Sequence, residues 1–103
     1  MNPTIFEIQA EFCKVMGNAG RLHILHVLRD HPKSVGEISQ ETGLAQSHVS
    51  RQLACLRNVG VVSAKRNGNG VVYHITDAKV VEVCDLVRSV LVEQIQRRSR
   101  SIE

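Results

Sequence analysis

The sequence has no tryptophan, two phenylalanines and one tyrosine. So few aromatics leave leucine, valine and isoleucine to build a core, which suits a small helical protein. A hydrophobic content of 43% is too high for a disordered chain. No apolar run approaches the ~18 residues of a membrane span. The opening MNPTIFEIQAEF carries Glu7 and Glu11 and no basic stretch, so neither a membrane anchor nor a secretory signal is expected. Three cysteines are an odd number, which points to reduced thiols in a cytoplasmic protein rather than a disulfide framework. A length of 103 residues makes a single domain over 1–103. A chain this short buries a modest share of its surface and gains from a partner subunit.

Acid is also missing, locally. Residues 42–76 contain no Asp or Glu, yet hold Arg51, Arg57, Lys65 and Arg66 together with His48 and His74. The rest of the chain has nine basic and ten acidic residues, so the whole net charge of +3 comes from this central third. A localised acid-free basic patch is the footprint of a polyanion binder; four basic side chains can also be an ordinary solvated face.

Apolar spacing divides the chain into five helices and a hairpin. Helix α1 spans about 4–17, with Ile5, Ile8, Phe12, Val15 and Met16 on one line and Phe6, Ala10 and Cys13 on a second. Apolar on two sides, it needs two neighbours. Helix α2 covers about 19–29, ended by Asp30-His31-Pro32. Ser34 opens α3 with a capping box to Glu37, and Gly43 closes it. Helix α4 lies between Gly43 and Gly60. It buries Val49, Leu53 and Leu56 and turns Ser47, Ser50, Arg51 and Ala54 outward, with His48 at the edge. Strands β1 (61–65) and β2 (71–75) flank the turn Asn67-Gly68-Asn69-Gly70. Helix α5 runs from Asp77 to about 96 with a stripe of Val80, Val83, Cys84, Val87, Val90, Leu91 and Ile95, and the polar tail is expected to fray. The expected class is mainly α with a small β-hairpin, in the order α1-α2-α3-α4-β1-β2-α5.

Two short helices joined by a tight turn, the second polar outside, make a helix-turn-helix; a basic hairpin after it makes a wing. A helix of 10–12 Å diameter fits the major groove, where every base pair shows a distinct donor and acceptor pattern. Gln46, Ser47, His48, Ser50 and Arg51 supply the hydrogen-bonding groups near the start of α4. Arg51 can pair with guanine O6 and N7. Lys65, Arg66 and Asn67 are placed to grip backbone or enter the minor groove.

The run SVGEISQETGLAQSHVSRQLACLRNVGVVSAKRNGNGVVYHI, with NAGRLHILHVL before it, resembles the helix-turn-helix and wing of the ArsR family of bacterial repressors. Its carriers are Ser47, Val49, Ser50, Leu53, Leu56, Gly60, Val61 and Val62, and the likeness extends over roughly 8–95. The resemblance implies a winged helix-turn-helix homodimer joined through α1 and α5, which represses a promoter with a palindromic operator until an inducer weakens DNA binding. Ala45 departs from the family, which usually caps the reading helix with Ser there; Ser47 or water would have to serve its free amides.

The family's metal sites do not carry over. Its Cys-x-Cys in α3 aligns with Ser34 and Gly36, and α5 has no His for the other common site. No metal and no cofactor is expected. His23 and His26, three apart, are too few for zinc. Cys13, Cys55 and Cys84 remain as thiol-sensor candidates. Cys13 and Cys84 become neighbours if α1 packs on α5, or they simply fill apolar space. The family's thiol sensors place a cysteine in α2, about where His26 stands here. Arg51, one turn before Cys55, would favour its thiolate.

The expected function is therefore sequence-specific transcriptional regulation: a dimeric repressor released by an inducer, through thiol or reactive-sulfur chemistry. Two alternatives stand beside it. One is a metal- or metalloid-responsive repressor using an unusual cysteine site; the other is a winged helix that binds protein. A protein interface has no need to exclude Asp and Glu, which weighs against the last. The sequence offers no nucleophile–base pairing and no phosphate loop, so an enzyme is not expected.

Overall fold

In the computed structural model, which describes residues 2–102, most helices begin where a side chain takes up free amides. At α1 (Ile5–Met16) Thr4 Oγ1 accepts from the Glu7 amide at 3.1 Å while the Glu7 carboxylate accepts from the Thr4 amide at 2.9 Å. These bonds hold the Glu7 carboxyl below its ordinary value. Asn18 caps α2 (Ala19–Leu28) through the Arg21 amide at 3.1 Å. The capping box expected at α3 (Val35–Thr42) is formed, with Ser34 and Glu37 exchanging bonds of 3.2 and 2.9 Å. Asp77 accepts from the Lys79 amide at 2.9 Å at the start of α5 (Ala78–Ile102). That helix continues past 96, because Gln and Arg are strong helix formers and no Gly or Pro interrupts the segment.

Helix α4 (Gln46–Asn58) is the exception: Ala45 is extended, at φ −61 and ψ 146, and among the described residues no side chain caps the helix, Ser47 included. Ala45→Ser restores an acceptor at a position already in the right conformation. It is expected to stabilise the fold by about 1 kcal/mol, read as a higher midpoint in urea.

The far end of α4 is a Schellman closure. The Val61 amide donates to the Leu56 carbonyl at 3.2 Å, the Gly60 amide to the Arg57 carbonyl at 3.0 Å, and Gly60 has φ +81. This engages Val61 in the helix cap, so β1 (Val62–Asn67) begins one residue later than alternation alone implies and runs to the turn. It pairs antiparallel with β2 (Gly70–Ile75), from Val62 opposite Ile75 to Asn67 opposite Gly70. Of the two turn residues only Gly68 has positive φ, at +64, the type II′ pattern that suits strand twist.

A bridge between Lys33 and Tyr73 ties the α2–α3 connection to β2 by two backbone bonds, of 3.0 and 2.8 Å. Lys33 itself is only 6% exposed; its Nζ donates to the Val27 carbonyl and, at 3.0 Å, to Glu41. A cation therefore stands at the carbonyl end of α2, where the helix dipole favours it.

The order α1-α2-α3-α4-β1-β2-α5 is the expected one. The core forms from α2, α3 and α4 with the hairpin base: Ile24, Leu25, Leu28, Ile38, Val49, Leu53, Leu56, Val61 and Val62 are all buried. Helix α1 buries none of its residues fully. Phe6 is 76% exposed, and along α5 Val83, Leu86, Val87, Val90, Leu91 and Ile95 are open to solvent. The Cα radius of gyration is accordingly 15.9 Å, against about 13 Å for a compact chain of this length.

Candidate nucleic-acid interface

The turn between α3 and α4 is held by side chains that sequence reasoning passed over. Gly43, at φ +78, reverses the chain. Thr42 Oγ1 donates to the Ile38 carbonyl at 2.8 Å and accepts from the Leu44 amide at 3.2 Å, while Ser39 Oγ donates to the Leu44 carbonyl. These bonds leave little freedom in how α4 leaves α3, and Val49, Leu53 and Leu56 seat its inner face in the core.

The outer face follows from helix geometry. Gln46, Ser47, Ser50 and Arg51 are exposed, as is Ala54 one turn on from Ser50. On the hairpin, Lys65, Arg66 and Asn67 are exposed beside the turn. Among the described residues Arg51, Lys65 and Arg66 make no ion pair and no side-chain hydrogen bond, so their charges stand free in solvent. His48 differs from its neighbours. It is half-buried, with Nε2 3.4 Å from Gln52 Nε2 and close to Gly20, where an added Cβ would lie 3.4 Å away.

The cysteines fall in two places. Cys13 is exposed and Cys84 half-buried, and both line one apolar groove of about 600 Å³ with Phe12, Met16, Leu22 and Val87. Burial pushes the Cys84 thiol up, with Asp85 adding to the rise and Arg88 opposing it. Cys55 is half-buried elsewhere, and the cation on its sulfur is Arg21, whose Nη2 lies 3.6 Å away, rather than Arg51. An arginine from α2 reaching across to α4 is not visible from spacing along α4 alone. Among the described residues no three His, Cys, Asp or Glu gather to hold a metal ion, so the three cysteines do not form one site within a chain. His26, facing Arg29 and the α5 residues Arg88 and Asp85, is held below its ordinary value by burial first and then by the two arginines.

Residues 18–64 match the family model for bacterial regulatory proteins of the arsR family. The HTH-type transcriptional regulator Rv0081 of Mycobacterium tuberculosis is 36% identical over 96% of this chain and 88% of its own. Its crystal structure aligns with a TM-score of 0.82 at 35% identity, covering 94% of this chain and 98% of that one. The solution structure of a homodimeric winged helix-turn-helix DNA-binding domain from Mycobacterium bovis gives a TM-score of 0.81 at 29% identity, covering 90% and 86%. The biofilm growth-associated repressor of Xylella fastidiosa is 31% identical over 82% of this chain and 75% of its own.

Proposed function

Because this chain belongs to the ArsR family and is a DNA-binding transcriptional regulator, we propose that it acts as a homodimeric repressor on a roughly palindromic operator. In this reading, Gln46, Ser47, His48, Ser50 and Arg51 of each α4 face a major groove, and Lys65, Arg66 and Asn67 of each wing hold the flanking backbone or minor groove. The observation that carries it is the exposed, acid-free face of α4 with Arg51 on it, followed by a hairpin whose Lys65 and Arg66, like Arg51, make no ion pair among the described residues. The homodimeric M. bovis domain supports a two-fold assembly. Helices α1 and α5 are its joint, since among the described residues much of their apolar stripes stays exposed, Ile5, Phe6 and Ile8 on α1 and Val83, Val87, Leu91 and Ile95 on α5. The whole of 1–103 then serves as one DNA-binding and dimerising domain.

Operator affinity measured against salt tests this. Lys65→Ala and Arg66→Ala are each expected to weaken binding to all duplexes alike and to flatten the salt slope by about 1. A slope unchanged in both variants contradicts the placement of the wing. Elution of the wild type from heparin without salt dependence favours a protein-binding winged helix instead.

Inducer chemistry is assigned to thiols. Cys13 and Cys84 share the groove between α1 and α5; Cys13 is exposed in the single chain, and burial raises the Cys84 thiol. Peroxide or polysulfide is expected to modify this pair, giving a sulfenic acid or a persulfide. Intact mass measured beside operator binding checks it. An adduct that appears together with loss of binding supports the assignment. Full operator binding by the modified protein, or release by a metal ion alone, overturns it.

A further inference from the structure

We propose that Arg21 and Gln52 are positioning residues for the reading helix, which fix the His48 ring with its proton on Nδ1. The inference rests on α4 being that helix. Arg21, half-buried on α2, donates in three directions. Its Nε reaches Gln52 Oε1 at 2.6 Å, its Nη1 the Val15 carbonyl at 2.9 Å, and its Nη2 the Cys55 sulfur at 3.6 Å. The Val15 carbonyl belongs to the last turn of α1, where carbonyls lack a partner within the helix. One guanidinium thus ties the end of α1 to the outward half of α4.

The chemistry of the groups sets the order of the chain. A guanidinium has donors only, so the Gln52 amide must turn its oxygen to Arg21. Its NH₂ then faces the other way, and it lies 3.4 Å from His48 Nε2, one turn earlier on α4. That NH₂ is also a donor only, so Nε2 must accept. A neutral imidazole accepting at Nε2 carries its proton on Nδ1. The Nε2 side of the ring lies beside Gly20, where an added Cβ would stand 3.4 Å from Nε2, in van der Waals contact. What His48 can offer DNA is therefore a single donor. That donor suits purine N7, guanine O6 or a phosphate oxygen, and rejects the exocyclic amines of adenine and cytosine. A shift of α1 is passed to the same ring through Arg21.

Two readouts on the full chain test this, one without DNA. Long-range proton–nitrogen correlation of the His48 ring above pH 7.5 is expected to show Nδ1 protonated in the wild type. In Arg21→Met and Gln52→Leu it is expected to relax toward the Nε2–H form that free imidazole side chains favour in water. On a duplex enriched from random DNA by the wild type, each variant is expected to lose about tenfold in the ratio of specific to non-specific affinity, the scale of one lost base contact. The double variant is expected to lose no more than either single one, since both break the same chain. Arg21→Lys, which keeps the charge but not the fork, is expected to behave like Arg21→Met. Melting temperature, followed in parallel, reports any loss of fold; a purely structural Arg21 would move it while leaving the tautomer and the ratio unchanged. A wild-type ring protonated on Nε2, or losses that add in the double variant, overturns the proposal. A tautomer that responds as expected in a protein selecting no duplex upholds the positioning role and sinks the DNA reading instead.

Discussion

Leu91→Glu is expected to turn the dimer into a monomer and to lower operator affinity by at least about a hundredfold. Leu91 is 52% exposed in the single chain and lines the groove between α1 and α5. A glutamate there meets water in a lone subunit, so folding survives. In a two-fold assembly the same carboxylate is buried against the twin's apolar stripe, and symmetry introduces it twice. An unpaired buried charge costs about 3–5 kcal/mol in such a setting, more than one apolar side chain contributes by its burial, roughly 1.5–3 kcal/mol. Operator binding falls with it, because two half-sites held on one dimer add their contacts without a second loss of translational freedom. Sedimentation at micromolar concentration checks the first effect and fluorescence anisotropy the second. A variant that stays dimeric places the joint elsewhere.

Arg51→Ala is expected to remove about 1–3 kcal/mol of discrimination at one base-pair position, while leaving stability within about 0.5 kcal/mol. The side chain is exposed and has no partner among the described residues, so nothing in the folded chain depends on it. Two contributions must be separated, since removing any cation near DNA also weakens binding through released counterions. The salt slope separates them. Arg51→Ala and Lys65→Ala are each expected to reduce it by about 1, but only Arg51→Ala changes the ranking of duplexes that differ at a single position. A variant that keeps the wild-type ranking removes Arg51 from base readout.

The difference between the two halves of this molecule explains what the sequence discloses. Helix α4 is legible because its buried residues, Val49, Leu53 and Leu56, recur at helical spacing and its outer face is defined by what they leave. The capping box at Ser34 and the stop at Gly60 are likewise local features, formed by residues three to five apart. Arg21 is not legible in this way. Its partners Val15, Gln52 and Cys55 lie on two other helices, and only packing brings them to one guanidinium. An arginine in the largely apolar AGRLHILHVL is a faint signal that some partner exists. Lys33 is a similar case: a lysine in a connecting segment reads as solvated, yet its pairing with Tyr73 and the bond to Val27 bury it. Charge placement reveals the candidate DNA face because residues 42–76 stay together in space as one helix and its wing. The placement of the thiols is legible only conditionally: the sequence makes Cys13 and Cys84 neighbours if α1 packs on α5, and both line one groove between those distant segments.

Hydroxyl-radical footprinting on a duplex enriched from random DNA is the most direct test of a dimer reading two grooves with α4. Two symmetric protected half-sites are expected, with centres about 34–36 Å apart or a multiple of that spacing, and Arg51→Ala is expected to thin protection equally in both. A single unpaired patch, or uniform cleavage at low salt, would contradict it.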